Sequence, residues 1–190
     1  MIDPIDSSQS TIRLLASEAL KLWPLDSVYN LLFDDDYVVR TLAARQLQLR
    51  GDKDIFDKLV ALSFSPIPFH RVLSAFVLGQ LGTPAMPFKN CSIPVLLRLI
   101  SDDNPEVRAF AADALGHLCY AGMPAEAEQF LYGAASDSSP IVRGAAAVAL
   151  GNASNHEQAL SVLDMLIQDP VKEVSEYAEL GKEILLNKRV

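Results

Sequence analysis

The sequence is poor in the residues that carry most chemistry. It has two cysteines in 190 residues, Cys91 and Cys119, in unrelated local contexts and with no Cys-x-x-Cys spacing. That excludes a disulfide framework or a thiolate metal site, and both are expected to be reduced, buried and small. Aromatic residues make up only 7% although half of the chain is hydrophobic, so the apolar content is mostly Ala, Leu and Val. Small side chains of that kind suit closely stacked helices better than a sheet. No apolar run approaches the ~20 residues of a membrane span. The opening Met1-Ile2-Asp3-Pro4-Ile5-Asp6 has neither the basic nor the apolar region of a signal peptide, so the expected location is cytoplasmic.

Positive charge is also scarce. Lys and Arg total 16 against 24 Asp and Glu, giving a net charge of −8 and a pI near 4.8. No run of Lys or Arg provides the basic face that phosphate binding needs, which argues against nucleic acid as a direct partner and for a basic protein. There is no glycine-rich phosphate loop, since Gly79-Gln80-Leu81-Gly82 reads as a helix ending. No Ser, Cys or Lys has a recognisable base beside it. His156-Glu157 lacks the second His of a zinc-protease helix, and His70, His117 and His156 fall in separate segments. Neither a metal, a cofactor nor an enzymatic activity is expected.

What is present is a repeat. Arg40, Arg71, Arg108 and Arg143 head four similar segments, spaced 31, 37 and 35 residues apart. The third and fourth residues after each Arg are small: Ala43-Ala44, Ser74-Ala75, Ala111-Ala112 and Ala146-Ala147. The seventh is always Leu (Leu47, Leu78, Leu115, Leu150), and the eighth is Gly at Gly79, Gly116 and Gly151 but Gln at Gln48. A degenerate copy follows Asp169-Pro170, with Ser175 in the Arg position and Ala178 as its small residue. Small residues three and four positions on, followed by Leu, share one helical face where a neighbouring helix can approach closely.

The motif helices begin with capping chemistry at Asn104-Pro105 and Ser139-Pro140, with Asp36 in the same role earlier. Each is preceded by an apolar helical segment, at 28–33, 55–62, 93–100, 125–134 and 160–167. Gly82 to Pro94 is expected to be a long connection, and the Gly133-Ala134-Ala135-Ser136 helix end to be weak.

These residues resemble the HEAT repeat, in particular its short, PBS-lyase-type form with Asp-x-x-Pro-x-Val-Arg, Ala-Ala and Leu-Gly, over about residues 26–185. The resemblance implies an all-α fold, a right-handed α-α superhelix of about five helix pairs with the motif helices on the concave side. It divides one domain, 1–190, into an N-terminal capping helix at about 10–23 and repeats at about 26–51, 52–82, 91–121, 124–152 and 156–187.

Six residues before each Arg stand Asp34, Ser65, Asp102 and Asp137, and Asp169 precedes Ser175 likewise. An Arg ladder could hold phosphate. The resemblance implies instead a structural ladder, Arg40, Arg71, Arg108 and Arg143 pairing with the Asp of a neighbouring turn, which fixes register more than it adds stability. The acidic clusters at Asp34-Asp35-Asp36, Asp102-Asp103 and around Asp52, Asp54 and Asp57 read as turn residues capping helix N-termini, or as recognition of a basic partner.

Positions one, five and nine after each Arg are expected to face the groove. They place Arg45, Phe76, Gln80, Asp113 and His117, with Tyr120 one turn beyond His117, as candidate partner-binding residues. An equal alternative packs Phe76 and Tyr120 into the core. The runs 44–51 and 75–82 are similar to the opening repeats of HEAT-type immunity proteins, which are encoded beside bacterial polymorphic toxins, including Rhs and type VI secretion effectors. That resemblance implies a non-enzymatic binder of a basic toxin domain, a nuclease effector being the charge-complementary choice. The alternatives are a generic scaffold and an accessory protein of the bilin-lyase type, whose repeats the chain also resembles. Oligomeric state is left open.

Overall fold

The structure, a computed structural model, describes residues 7–187. Among them are eleven α-helices and no strand: α1 Ser7–Leu20, α2 Leu25–Asn30 continued by a 3-10 turn at Leu31–Phe33, α3 Tyr37–Arg50, α4 Lys53–Leu62, α5 Pro68–Leu78, α6 Lys89–Leu99, α7 Pro105–Leu118, α8 Ala125–Ala134, α9 Pro140–Leu150, α10 His156–Leu166 and α11 Lys172–Asn187. The fold is a HEAT-type solenoid of five helix pairs with α1 laid on α3 at one end.

The motif helices α3, α5, α7, α9 and α11 pack side by side in that order, each backed by the helix that precedes it. The repeat explains why. Ala43, Ala44, Ala75, Ala111, Ala112, Ala146, Ala147 and Ala178 are all buried, and Leu47, Leu78, Leu115 and Leu150 are fully enclosed. Each such Leu contributes roughly 2 kcal/mol through removal from water. The Gly after it does more than end the helix. A Cβ at Gly79 would lie 2.9 Å from the Ala114 Cα, and one at Gly116 2.9 Å from the Ala149 Cα, so the helices nest backbone to backbone there. Gly151 meets the Gly181 carbonyl in the same way.

Local expectations fare unevenly. Asp36 accepts from the Val38 N–H and Asn104 from those of Glu106 and Val107, as capping requires. Ser139 makes no side-chain cap; Asp137 turns the chain there by accepting the Ser139 N–H. The connection after Gly82 ends earlier than Pro94, because α6 starts at Lys89 and carries Pro94 inside it. Pro94 is exposed, so the carbonyl left without an N–H partner can turn to water. The α8 end is not weak: the helix runs through Ala134, and Ala134 and Ala135 are buried. Cys119 is buried but Cys91 is exposed, since it sits in the first turn of α6.

Candidate functional site

Each Arg of the series is the fourth residue of its motif helix and faces the turn that leads into it. The Arg71 Nε and Nη2 donate to both Asp102 carboxylate oxygens at 2.7 Å. Arg108 does the same to Asp137 at 2.7 and 2.8 Å, and Arg143 to Asp169 at 2.7 and 2.9 Å. In each case Nη1 donates back into its own turn, to the carbonyls of Ser65, Asp102 and Asp137. One guanidinium thereby ties its own turn to the next, in the two-pronged geometry that only Arg offers.

These pairs are mostly enclosed, and their electrostatics follow. The Arg108 hydrogen bonds hold the Asp137 carboxyl below the usual range, and those of Arg143 do so for Asp169, against the upward push of burial. At Asp102 burial is the largest influence and pushes upward, but the Arg71 hydrogen bonds, the Asn104 N–H and nearby positive charge together outweigh it and bring the carboxyl down. With their Nε and Nη2 donors occupied by the next turn's carboxylate, Arg71, Arg108 and Arg143 have no open edge for phosphate.

Arg40 and Asp34 depart from the expected pairing. The next turn offers Ser65 in place of Asp, so among the described residues Arg40 makes no ion pair. Its Nη1 donates to the Asp34 and Asp35 carbonyls at 2.7 and 2.8 Å, and its guanidinium lies over the Phe69 ring at 5.4 Å. Asp34 accepts the Asp36 N–H within its own turn. Ser65 keeps the turn-forming half of the Asp role, accepting from the Ile67 N–H, and contacts His70 Nδ1 at 3.0 Å.

The second set of candidates lies on the motif helices. Arg45, Asp113, His117 and Tyr120 are exposed, while Phe76 and Gln80 are half-buried. Phe76 meets Phe110 edge-on at 6.1 Å, and both line a hollow of about 310 Å³ with Tyr37, Arg40, Phe69 and Val72. A second hollow of about 390 Å³ joins Asp113 to Ile141, Val148, Tyr177 and Leu180. Asp113 and Phe110 share a smaller depression between the two. His117 Nε2 stands 4.0 Å from the Asp113 carboxylate, one turn further along α7. Arg45, Gln80, His117 and Tyr120 line neither hollow. With 60% of its surface exposed, Tyr120 is no core residue.

Position one after the Arg lies on the groove side, with Thr41 and Val72 lining the first hollow, Ala109 the smaller depression and Gly144 the second hollow, but only Thr41 is exposed there. Val72 and Ala109 are buried, and Gly144 is covered by the Tyr177 ring. Five exposed side chains that the reading of positions one, five and nine missed complete the face: Tyr37, Phe69, Phe110, Ile141 and Tyr177. Phe69 and Ile141 lie two residues before an Arg, and Phe110 and Tyr177 two after the Arg position. Large apolar residues at those offsets were the available signal.

Among the described residues no group of three or more His, Cys, Asp or Glu could hold a metal ion, and no helix is long and apolar enough to cross a membrane.

Comparison with known proteins agrees with this architecture. The model of the family described as HEAT repeats matches residues 92–180. Protein YibA of Escherichia coli (strain K12) is 29% identical over 168 residues, which covers 84% of this chain and 57% of YibA. An X-ray structure of E. coli YibA aligns with a TM-score of 0.78 at 25% identity, over 94% of this chain and 64% of that one. The chain thus spans about three fifths of the length of these relatives. The structure of the complex of CpcE and CpcF of phycocyanin lyase from Nostoc sp. PCC7120 aligns at 28% identity and a TM-score of 0.54, over 72% of this chain and 81% of that one. A designed armadillo repeat protein in complex with the peptide (KR)4 shares the fold alone, at 16% identity and a TM-score of 0.57, with 96% and 95% of the two chains covered. Tandem motif helices and these likenesses together give the fold as an α-solenoid of the HEAT and armadillo kind, within which residues 92–180 match the HEAT-repeat model.

Proposed function

We propose that the chain is a non-enzymatic protein-binding module whose partner lies along the motif-helix face. In its sharpest form this is an immunity protein that neutralises a cognate bacterial toxin, a basic nuclease effector, in the cytoplasm. The observation that carries the reading is the row of exposed aromatic and apolar side chains, Tyr37, Phe69, Phe110, Ile141 and Tyr177, flanked by Asp113. A contiguous row of that kind on one face of a monomer is what an interface presents. The net charge of −8 favours a basic partner and speeds its encounter. A rigid solenoid seated over a basic cleft blocks substrate without any chemistry of its own. A stable complex of the usual size needs about 1,600 Å² of total buried surface, which five repeats have room to provide.

The test is the protein encoded directly beside this one. Co-expression should relieve its toxicity, and the purified pair should form a tight one-to-one complex. Phe76→Ala and Asp113→Arg should each weaken that complex about tenfold or more while leaving the helical melting transition in place. No complex and no relief of toxicity would end the immunity reading; unchanged affinity in both variants would move the interface off this face.

The likeness to the CpcE–CpcF complex favours one second reading, an accessory protein of the bilin-lyase type. Co-expression with a source of bilin would then give coloured protein. Capture of several unrelated partners would instead favour a general scaffold.

A further inference from the structure

Three of the four Arg turns show what their guanidinium edge accepts. At Arg71, Arg108 and Arg143, Nη1 is spent on the turn's own carbonyl while Nε and Nη2 point together at a carboxylate of the next repeat. Arg40 has the first half of this arrangement and lacks the second. Its Nη1 is held by the Asp34 and Asp35 carbonyls, and the ring of Phe69 lies beneath it. The residue that would answer Nε and Nη2 is Ser65, whose hydroxyl is engaged with Ile67 and His70. Among the described residues no carboxylate replaces it.

The same place opens into the apolar hollow of about 310 Å³, with Arg40 on its rim and Tyr37, Phe69, Phe76 and Phe110 in its wall. At this joint the residue after the motif Leu is Gln48, whose side-chain N–H donates to the Phe76 carbonyl at 3.0 Å. Elsewhere that residue is Gly79 or Gly116, against which the next helix closes directly.

We propose that Arg40 and this hollow form a recognition site for an acidic side chain of a partner protein, the carboxylate taking the two-pronged Nε and Nη2 edge and an adjacent aromatic or aliphatic residue filling the hollow. Carboxylate is the chemistry the molecule itself places on that edge at three other turns, and bidentate pairing with a partly enclosed Arg beside apolar walls is stronger than an open surface pair. One acidic residue on an otherwise basic partner would set its register along the face. The partner's being a protein rests on the reading above; the carboxylate site does not.

The experiment uses the whole chain and two probes, N-acetyl-Phe-Asp-amide and N-acetyl-Phe-Asn-amide, titrated while the Arg Nε–H resonances are followed by NMR. The Asp probe should move the Arg40 resonance in a saturable way and leave those of Arg71, Arg108 and Arg143 in place. The Asn probe should bind about tenfold more weakly, the difference expected of a charge-assisted pair. Ser65→Asp, which supplies an internal carboxylate, should abolish the Arg40 response. Should that variant fail to fold, the neutral Arg40→Gln serves in its place, followed through the backbone amides of Tyr37 and Phe69, and should lose the preference for Asp over Asn. An unmoved Arg40 resonance, equal binding of both probes, or an undiminished response in folded Ser65→Asp would overturn the proposal. None of these outcomes requires a partner, so failure here leaves the protein-binding reading standing, and absence of a partner leaves this site standing.

Discussion

The joint between α3 and α5 and the three joints that follow it are built from the same helix pair, yet they close differently. From α5 onward each joint combines a Gly at the point of closest approach with an Arg–Asp pair across the turns. Between α3 and α5 both devices are changed, Gly to Gln48 and Asp to Ser65. An amide then bridges to the neighbouring helix where backbone would have met backbone, and the ionic rung is replaced by a guanidinium over an aromatic ring. A buried amide is directional and satisfied by one carbonyl, so it can hold a joint without closing it. The difference teaches that two positions per repeat decide whether a joint is filled by the chain itself or left open for something else.

Substitutions at those positions sharpen the contrast. The largest effect is expected from Gly116→Val, whose side chain would meet the Ala149 backbone; urea denaturation should show a loss of about 3 kcal/mol. Asp137→Ala strands the enclosed Arg108 guanidinium and should cost about 2 kcal/mol in the same assay. Its pH profile is diagnostic. The carboxyls of Asp102, Asp137 and Asp169 are held below their ordinary value. Their contribution is therefore complete above about pH 4 and is lost as the pH falls through their lower native values. Melting temperatures recorded downward from about pH 5 should fall less steeply in Asp137→Ala than in the parent protein. Gln48→Ala leaves the Phe76 carbonyl without the amide that answers it and should cost about 1 kcal/mol. The smallest effect is a gain: Ser65→Asp, by supplying the missing rung, should add about 0.5 kcal/mol.

Much of the architecture was legible because the signal is repeated. One Arg, one Ala pair or one Leu-Gly says little; four in register define a helix face, and the buried Ala and Leu positions follow from it directly. Helix ends were less legible, since they depend on local turns. Ser139 looks like a cap in sequence, but the preceding Asp137 already organises that turn. The binding face was read only in part. Counting from the Arg selected Asp113 and His117 on the exposed side of α7 and put position one on the groove side, but it did not show that Val72 and Ala109 line the hollows there as covered residues. Which neighbour covers a residue depends on how each helix rolls against the next, and a single-helix wheel does not contain that rotation. The departures Gln48 and Ser65 were visible as broken matches, but their joint consequence appears only when α3 and α5 stand side by side.

The ladder also has a polarity. Every rung runs from a guanidinium to the carboxylate of the repeat after it, and at Ser175 the series stops, the hydroxyl donating to the Ile167 carbonyl instead. A duplicate of residues 103–137 placed after Asp137 would carry its own donor ahead of its own acceptor, so both copies would find a mate and nothing downstream would be orphaned. Lengthening such a protein by whole units is thereby made electrostatically silent, whereas an insert carrying the Arg without the Asp, or the Asp without the Arg, would leave one charge unmatched.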